Sequence, residues 1–324
     1  MPRPEVQPFA DHHLGEAATL LARQHESLRA VEPLLPAAYE RQEQTEASLR
    51  ELLASGATGS VALRGSALVG YLLGSARDDA VWGPNIWVPP EGAAAQEPDV
   101  LRDVYAGAAQ RWVDEGRTAH YALVPAQDPA AVRAWSHLCF GVQHVHAARP
   151  LPREPEERPV PTPDVTVRLA GPGDVQQIAR FDVQFGEHLR RAPVFSGVEV
   201  PAPAAALAGA KEELEDPAIT TFVAGRGARV IGAAVGCDLS LSSAHSGPAR
   251  IDGAAMLAWV VVDESERGGG VGRVLADAVL AWAEQRGYRA IATDWRAANL
   301  PSSRAWPPLG FRETFLRMHR LIGY

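Results

Sequence analysis

The chain repeats itself in order, and this repetition constrains its fold more than any other feature of the sequence. Three pairs of segments match, namely Val61–Gly70 with Val223–Gly232, Trp112 with Trp282, and Arg133–Phe140 with Arg304–Phe311. The last pair reads Arg-Ala-Trp in both copies and ends on Leu, one residue and Phe. Self-similarity of this kind indicates repeated structural units. We therefore expect two copies of one fold.

A proline-rich segment separates the copies. In Arg149–Pro163, six of the fifteen residues are proline, with charged residues between them. This composition is typical of an extended, semi-rigid linker rather than of helix or sheet. A length of 324 residues also favours two domains of ~150 residues each. We predict one domain over residues 1–148, a linker over 149–163 and a second domain over 164–324.

Helical and strand patterns alternate within each copy, which predicts a mixed α/β (α+β) fold. In the first copy we predict helices at 11–29, 37–54, 98–115 and 128–137, with a hairpin at 60–74 and strands at 81–88, 119–124 and 140–148. In the second copy we predict strands at 165–169, 256–262, 288–295 and from 311, a hairpin at 220–236, and helices from 175, at 204–215, at 271–286 and from 299.

A glycine-rich turn joins a strand to a helix in the second copy. The strand is the apolar run Met256–Val262, and Val271–Arg286 has helical spacing. The glycines between them lack side chains, so backbone N–H groups at the helix N-terminus can approach an anion closely. Arg267 and Arg273 add positive charge beside the turn. The turn therefore predicts a phosphate-binding site.

Two better-known phosphate loops do not fit this turn. A P-loop requires Lys and then Ser or Thr after its last glycine, whereas Gly272 is followed by Arg273 and Val274. A dinucleotide-binding turn requires a third small residue, but the corresponding positions hold Arg273 or Leu275. What remains is Arg-x-x-Gly-x-Gly directly after a strand. A glycine-rich turn without a ligand is the alternative.

The turn and the downstream segment together resemble the GNAT acyltransferase superfamily. Asn299–Phe311 has an Asn that opens a short helix, an aromatic residue, and Leu-Gly-Phe before a strand. The resemblance covers about residues 164–324 and implies two tandem GNAT-like domains, each with a mixed, mostly antiparallel sheet flanked by helices. It also implies that strands 256–262 and 288–295 part, so that the pantetheine arm of acetyl-coenzyme A (acetyl-CoA) lies between them. The implied coenzyme-binding residues are Val260, Val262, Arg267, Gly268, Gly269, Gly270, Val271, Gly272, Arg273 and Asn299.

The resemblance implies acyl transfer to an amine, with a strand N–H from about Leu257–Val260 polarising the thioester carbonyl. Many members place an acidic Tyr where this chain has Trp306, whose indole N–H donates hydrogen bonds but is not an acid at neutral pH. Asp252 and Asp294, at opposite ends of neighbouring strands, are the candidate general bases. His188 and His319 are further histidine candidates, and water-mediated deprotonation is another route.

The first copy lacks these features at the matching place. Ile86–Ala95 has one glycine, two prolines without N–H donors, and Glu91 in place of an arginine. We expect this copy to bind no coenzyme and to serve a structural role or an interface, as in a homodimer.

Composition narrows the classes of partner. With 31 Lys and Arg against 39 Asp and Glu, the net charge is −8, and no basic stretch carries interleaved aromatic residues. Nucleic acid is therefore not expected as a partner. Two cysteines outside any metal-binding spacing favour free thiols, no metal and a cytoplasmic location. No apolar run reaches the ~20 residues of a membrane span.

The leading hypothesis is an N-acetyltransferase that moves an acetyl group from acetyl-CoA to a primary amine of a small molecule by direct transfer. The alternatives are a non-catalytic module that binds or senses acyl-CoA, and an acyltransferase that uses another acyl-CoA.

Overall fold

The computed structural model describes residues 3–152, 162 and 164–323. The strands are β1 (Glu5–Pro8), β2 (Thr58–Arg64), β3 (Ala67–Asp79), β4 (Gly83–Val88), β5 (Ala93–Ala95), β6 (Ala119–Pro125), β7 (Gly141–Pro150), β8 (Thr166–Leu169), β9 (Ile219–Arg226), β10 (Arg229–Asp238), β11 (Ala254–Val262), β12 (Ala290–Arg296) and β13 (Arg312–Leu321). The α-helices are α1 (Leu14–Val31), α2 (Gln42–Ala54), α3 (Pro98–Asp114), α4 (Pro129–His137), α5 (Val175–Arg190), α6 (Pro203–Glu215), α7 (Val271–Gln285) and α8 (Leu300–Ala305). None of the helices in this described part is long and apolar enough to cross a membrane.

The predicted helices and strands are present, with ends that differ by a few residues. Two strands, β1 and β5, were not predicted, because runs of four and three residues are too short to show an alternating pattern. The linker prediction was wrong at its start, since β7 continues to Pro150. A proline is compatible with a strand end because the N–H that it lacks need not join a ladder there. Residues 153–161 and 163 of the predicted linker lie outside the described part.

Contacts between Cα atoms divide the chain into two compact units that are discontinuous in sequence. The first unit contains the residues up to His146, Ala244–Asp252, and the residues from Glu313 onward. The second contains Ala147–Ser243 and Gly253–Arg312. Strand β13, at the end of the second sequence copy, therefore belongs almost entirely to the first unit.

The first unit is built on a mixed sheet. Its strands lie in the order β1-β2-β3-β4-β6-β13, and β5 pairs with β3. The β4–β6 pair is parallel, while the β1–β2, β2–β3, β3–β4 and β6–β13 pairs are antiparallel. Tyr71 and Trp112 are fully buried in the core.

The second unit repeats this plan with strand order β12-β11-β10-β9-β8. Only the β11–β12 pair is parallel among the pairs in this order. Apolar residues of α5 and α6 pack with Val223, Ala233 and Val261 on one face of the sheet. Neighbouring strand residues point to opposite faces, and Gly232, beside Ala233, faces Leu275 of α7. Helices therefore cover both faces, and the predicted mixed, mostly antiparallel fold is confirmed.

The two units share their packing details. A Cβ on Gly74 of β3 would lie 3.0 Å from Cζ2 of Trp112, and a Cβ on Gly236 of β10 would lie 2.9 Å from Cζ3 of Trp282. In each unit a glycine thus lets a tryptophan of the main helix lie against the sheet. This correspondence supports the internal repeat in structural terms.

Candidate active site

Strands β11 and β12 part soon after they begin. They pair only from Ala254 with Ala290 to Met256 with Ala292, although β11 continues to Val262 and β12 to Arg296. The hydroxyl of Thr293 donates to the carbonyl oxygen of Leu257 at 2.9 Å, just past the last pair. Beyond this point, the edge of β11 that faces β12 is available to another molecule.

A bulge lies where the strands diverge. On its other edge, β11 pairs Trp259 with Val235 and Leu257 with Gly236, which leaves Ala258 between them without a partner in the register. A bulge bends a strand and re-aims its backbone groups. The bulge therefore marks the point at which β11 turns away from β12.

The glycine turn brings free N–H groups to the N-terminus of α7. Gly268 and Gly270 have φ of 81° and 83°, which a residue with a Cβ adopts at a cost. The N–H groups of Arg273 and Val274 both donate to the Gly270 carbonyl. Within the described part of the chain, the N–H groups of Gly268 to Gly272 donate no hydrogen bond. Their dipoles and the helix dipole favour an anion at this turn.

The acidic residues before the turn are neutralised by arginines. Asp263 lies 2.9 Å from Arg229 and 3.1 Å from Arg180. Partial burial would raise the pKa of Asp263, but the hydrogen bonds from these arginines outweigh that effect and lower the pKa. Glu266 pairs with Arg226 at 3.3 Å and with Arg229 at 3.4 Å. These carboxylates therefore repel an anion at the turn less than their number suggests.

Two arginines border the turn and are about 40% exposed. The Arg267 side chain is 38% exposed and lies 3.7 Å from Glu264. The Arg273 side chain is 45% exposed and donates to Asp277 at 3.0 Å. Both guanidinium groups keep solvent-facing N–H groups that can pair with phosphate oxygens.

A cavity of about 560 Å³ within the second unit joins the turn to the end of β11, beyond the point where β12 has parted from it. Its walls come from α5, the end of β11, the glycine turn, and the segment of α8 with the turn that follows. The residues that line it are Gln184, Phe185, His188, Val260, Val261, Val262, Glu266, Arg267, Gly268, Gly270, Val271, Gly272, Arg273, Asn299, Pro301, Ser302, Arg304, Ala305, Trp306, Pro308 and Leu309.

The α8 wall presents polar groups to this cavity. Asn299 is 6% exposed, and its Nδ2 donates to Ser302 Oγ at 3.0 Å. Its side chain makes no capping bond to the helix backbone, although it occupies the N-cap position. Trp306 is 8% exposed, and its Nε1 is buried without a hydrogen-bond partner among the described residues. This wall therefore holds an unused N–H donor.

The structure brings most of the predicted coenzyme residues together. Nine of the ten line the cavity, and the exception is Gly269, whose carbonyl accepts a hydrogen bond from Thr162 Oγ1 at 3.0 Å. The candidate bases do not join them. Asp252 is exposed and belongs to the first unit. Asp294 is half-buried on β12. Neither residue lines the cavity. Their role as bases remains a prediction that the cavity does not support.

Residues of α5 form a wall of the cavity that was largely not predicted from the sequence. Gln184, Phe185 and His188 line the cavity at the spacing of one helix face. Of these, only His188 was a candidate. His319 lies elsewhere, on β13 of the first unit, with its ring 5.8 Å from that of Tyr121. The available signal was only the spacing of two polar residues, Gln184 and His188, four positions apart on α5.

The matching place in the first unit has a different geometry. Strands β4 and β6 pair in register from Asn85 with Ala119 to Val88 with Ala122, and Val88 is the last residue of β4. A 3-10 turn at Pro90–Gly92 and the short β5 follow in place of a glycine turn and helix. No group of three or more His, Cys, Asp or Glu suited to a metal occurs in the described part of either unit.

Comparison with known proteins finds one family model that matches part of the chain. The model of the acetyltransferase (GNAT) family matches residues 187–311. No curated protein matches the chain in sequence.

Solved structures share the fold over the whole chain. A GCN5-related N-acetyltransferase from Sphaerobacter thermophilus is 16% identical, with a TM-score of 0.60, over 100% of this chain and 97% of that chain. A glucosamine N-acetyltransferase region of a fungal multi-domain β-N-acetylglucosaminidase is 13% identical, with a TM-score of 0.52, over 98% of this chain and 38% of that one. A tandem GNAT protein from the clavulanic acid biosynthesis pathway is 16% identical, with a TM-score of 0.48, over 99% of both chains.

Proposed function

We propose that the protein is an N-acetyltransferase, starting from the match of residues 187–311 to the acetyltransferase (GNAT) family model. It moves the acetyl group of acetyl-CoA to a primary amine of a small molecule by direct transfer. Family membership supports acyl transfer from acyl-CoA in general terms, and the acetyl group and the amine are our proposal. We assign coenzyme binding to the copy at 164–324 and none to the copy at 1–148.

The observation that carries this proposal is the continuity of one cavity from the glycine turn to the strand gap. Pyrophosphate would accept hydrogen bonds from the free N–H groups of Gly268 to Gly272, with Arg267 and Arg273 nearby. The amides of the pantetheine arm would pair with the open edge of β11 beyond Met256. The thioester would then lie near the bulge at Ala258, where a backbone N–H of β11 would polarise its carbonyl.

Direct transfer fits the state of the cysteine in this unit. Burial raises the pKa of Cys237 to about 11, and the carboxylates of Asp238 and Glu213 add to the shift. The thiol is therefore protonated at neutral pH and is a poor nucleophile. Cys237 is also 7% exposed and does not line the cavity. An acyl-enzyme on this residue is not expected.

The first unit supports the division of roles. Its corresponding strands stay paired to the end of β4, so no gap opens there for a pantetheine arm. Pro89 and Pro90 occupy the segment that would have to supply N–H donors. Both features favour a first copy without coenzyme.

The rival proposal is an acyl-CoA binding or sensing module without turnover. It is favoured by Trp306, which occupies the position of the usual Tyr and cannot supply a proton at neutral pH. Release of free thiol from acetyl-CoA across a panel of primary amines, with calorimetric titration of coenzyme A alongside, separates the two. Amine-dependent release is expected. Tight binding without release, for acetyl-CoA and longer acyl-CoA alike, would favour the sensor, and no binding would refute both.

A further inference from the structure

The last turn of α5 places an imidazole in the cavity wall. His188 is half-buried, and its Nε2 lies 3.2 Å from Oδ1 of Asn299, across the cavity's α5 and α8 walls. The two residues are 111 positions apart in sequence, so the fold itself creates this contact. A hydrogen bond of this kind can fix which imidazole nitrogen carries the proton.

The hydrogen bonds of Asn299 determine which nitrogen of the His188 ring carries the proton. Its Nδ2 donates to Ser302 Oγ at 3.0 Å, which leaves Oδ1, an acceptor only, towards His188. In the neutral imidazole, Nε2 of His188 then carries the proton and Nδ1 holds the lone pair. In the described part of the chain, Nδ1 makes no hydrogen bond. A neutral imidazole with a free lone pair at the edge of a cavity is a proton acceptor.

The geometry points to His188 as the general base of the reaction, with Asn299 as its positioning residue. This assignment rests on the proposed function. Nδ1 takes a proton from the ammonium form of the acceptor, which gives a free amine and an imidazolium whose Nε2–H remains bonded to Asn299. The amine nitrogen then forms a C–N bond with the thioester carbonyl carbon and loses its second proton to water, and the C–S bond breaks. The coenzyme leaves as a thiolate, which takes up one proton, and the imidazolium returns its own proton to solvent.

Charged groups face this imidazole from several elements. Arg304 of α8, and Glu266, Arg267 and Arg273 of the glycine turn, line the same cavity. On α5, Glu187 lies 3.8 Å from Arg191, which also pairs with Glu264 at 3.0 Å. Replacing His188 alone leaves the charges of these neighbours in place.

A pair of amines with nearly the same shape tests the role directly. Ethylamine is almost fully protonated at neutral pH, because alkylamines have a pKa of about 10. In contrast, 2,2,2-trifluoroethylamine is largely unprotonated at this pH, so no base is needed to remove a proton before it attacks. With ethylamine, His188→Gln should lower kcat/KM by roughly 100-fold, the lower range for general base catalysis. With the fluorinated amine, the loss should be no more than a few-fold. The exposed His137 of α4 supplies the matched control, since His137→Gln should match wild type with both amines.

Two further measurements separate a base from a structural contact. In His188→Gln, the calorimetric affinity for coenzyme A should stay within a few-fold of that of wild type. In 15N NMR of the imidazole, wild type should show His188 protonated at Nε2, and Asn299→Ala should lose that preference.

The outcomes are distinct. Equal losses with both amines, or a proton on Nδ1, would each overturn the assignment to His188 while leaving acetyl transfer intact. No turnover of any amine by the wild-type protein would overturn the proposed function, and this assignment with it.

Discussion

The glycine turn permits a quantitative test of coenzyme binding, through Gly268→Glu with Gly287→Glu as its matched control. Gly268 has φ of 81°, Gly287 has φ of 77°, and no atom lies within 4 Å of a Cβ built on either. Both substitutions therefore incur the same backbone strain, about 1–2 kcal/mol of unfolding free energy. They differ in location, because only Gly268 lines the cavity.

A carboxylate at Gly268 would face the pyrophosphate in this interpretation. At 4 Å, two unit charges repel by about 1 kcal/mol in water and about 4 kcal/mol near a protein surface. Coenzyme A should therefore bind Gly268→Glu roughly 5-fold to 700-fold more weakly than it binds Gly287→Glu. The loss should shrink at high ionic strength, where the repulsion is screened.

Isothermal titration calorimetry at low and high salt measures the affinity of both variants for coenzyme A. Thermal unfolding of both variants measures their stability. Similar melting temperatures would establish that the strain is matched. Equal affinities for coenzyme A in the two variants would refute the assignment of the turn as the pyrophosphate site, whatever the enzyme's activity.

Three further predictions concern stability and reactivity. Gly236→Ala should lower the unfolding free energy by about 1–3 kcal/mol in a denaturant titration, because its Cβ would lie 2.9 Å from Val279 and Trp282, whereas Gly209→Ala on α6 meets no atom within 4 Å and should not destabilise. Asp174, whose pKa is lowered first by the hydrogen bond from Arg168, should contribute stability above its unfolded pKa and lose it as pH falls through the lower folded value. Asp174→Asn should thus be less stable than wild type at pH 7 by about 1 kcal/mol. The difference should shrink as pH falls through the lowered folded pKa of Asp174, and a difference that stays constant on acidification would contradict the argument. A thiol reagent at pH 8 should modify the exposed Cys139 quickly and Cys237 only after denaturation, since the pKa of Cys237 is about 11, and two fast thiols would show that this burial is wrong.

The sequence predicted the elements whose signals are local. The glycine turn was recognisable because the positive φ of Gly268 and Gly270 requires residues that the sequence shows directly. The internal repeat was recognisable because the matching segments, including Trp112 and Trp282, occur in the same order in both copies. The structure adds that each of these tryptophans lies against a glycine of a hairpin strand.

What the sequence could not predict depends on contacts between distant segments. Asp252 and Asp294 were chosen as bases from their positions at strand ends, but neither side chain lines the cavity. The contact between His188 and Asn299 joins two helices whose approach is set by tertiary packing, and no periodicity in either helix reveals it. Neutralisation of Asp263 by Arg180 and Arg229 is hidden for the same reason.

The position of β13 has a consequence for how the protein is made. This strand pairs with β6 from Phe315 opposite Pro125 to Leu321 opposite Ala119, within the first unit. A ribosome delivers β6 long before β13, so the first unit cannot complete its sheet while the segment between these strands is still being synthesised. Until then the free edge of β6 is an unpaired strand that can associate with other chains. Dependence on a chaperone that shields such an edge is therefore expected during translation, and a truncation before Arg312 should leave the protein permanently in that aggregation-prone state.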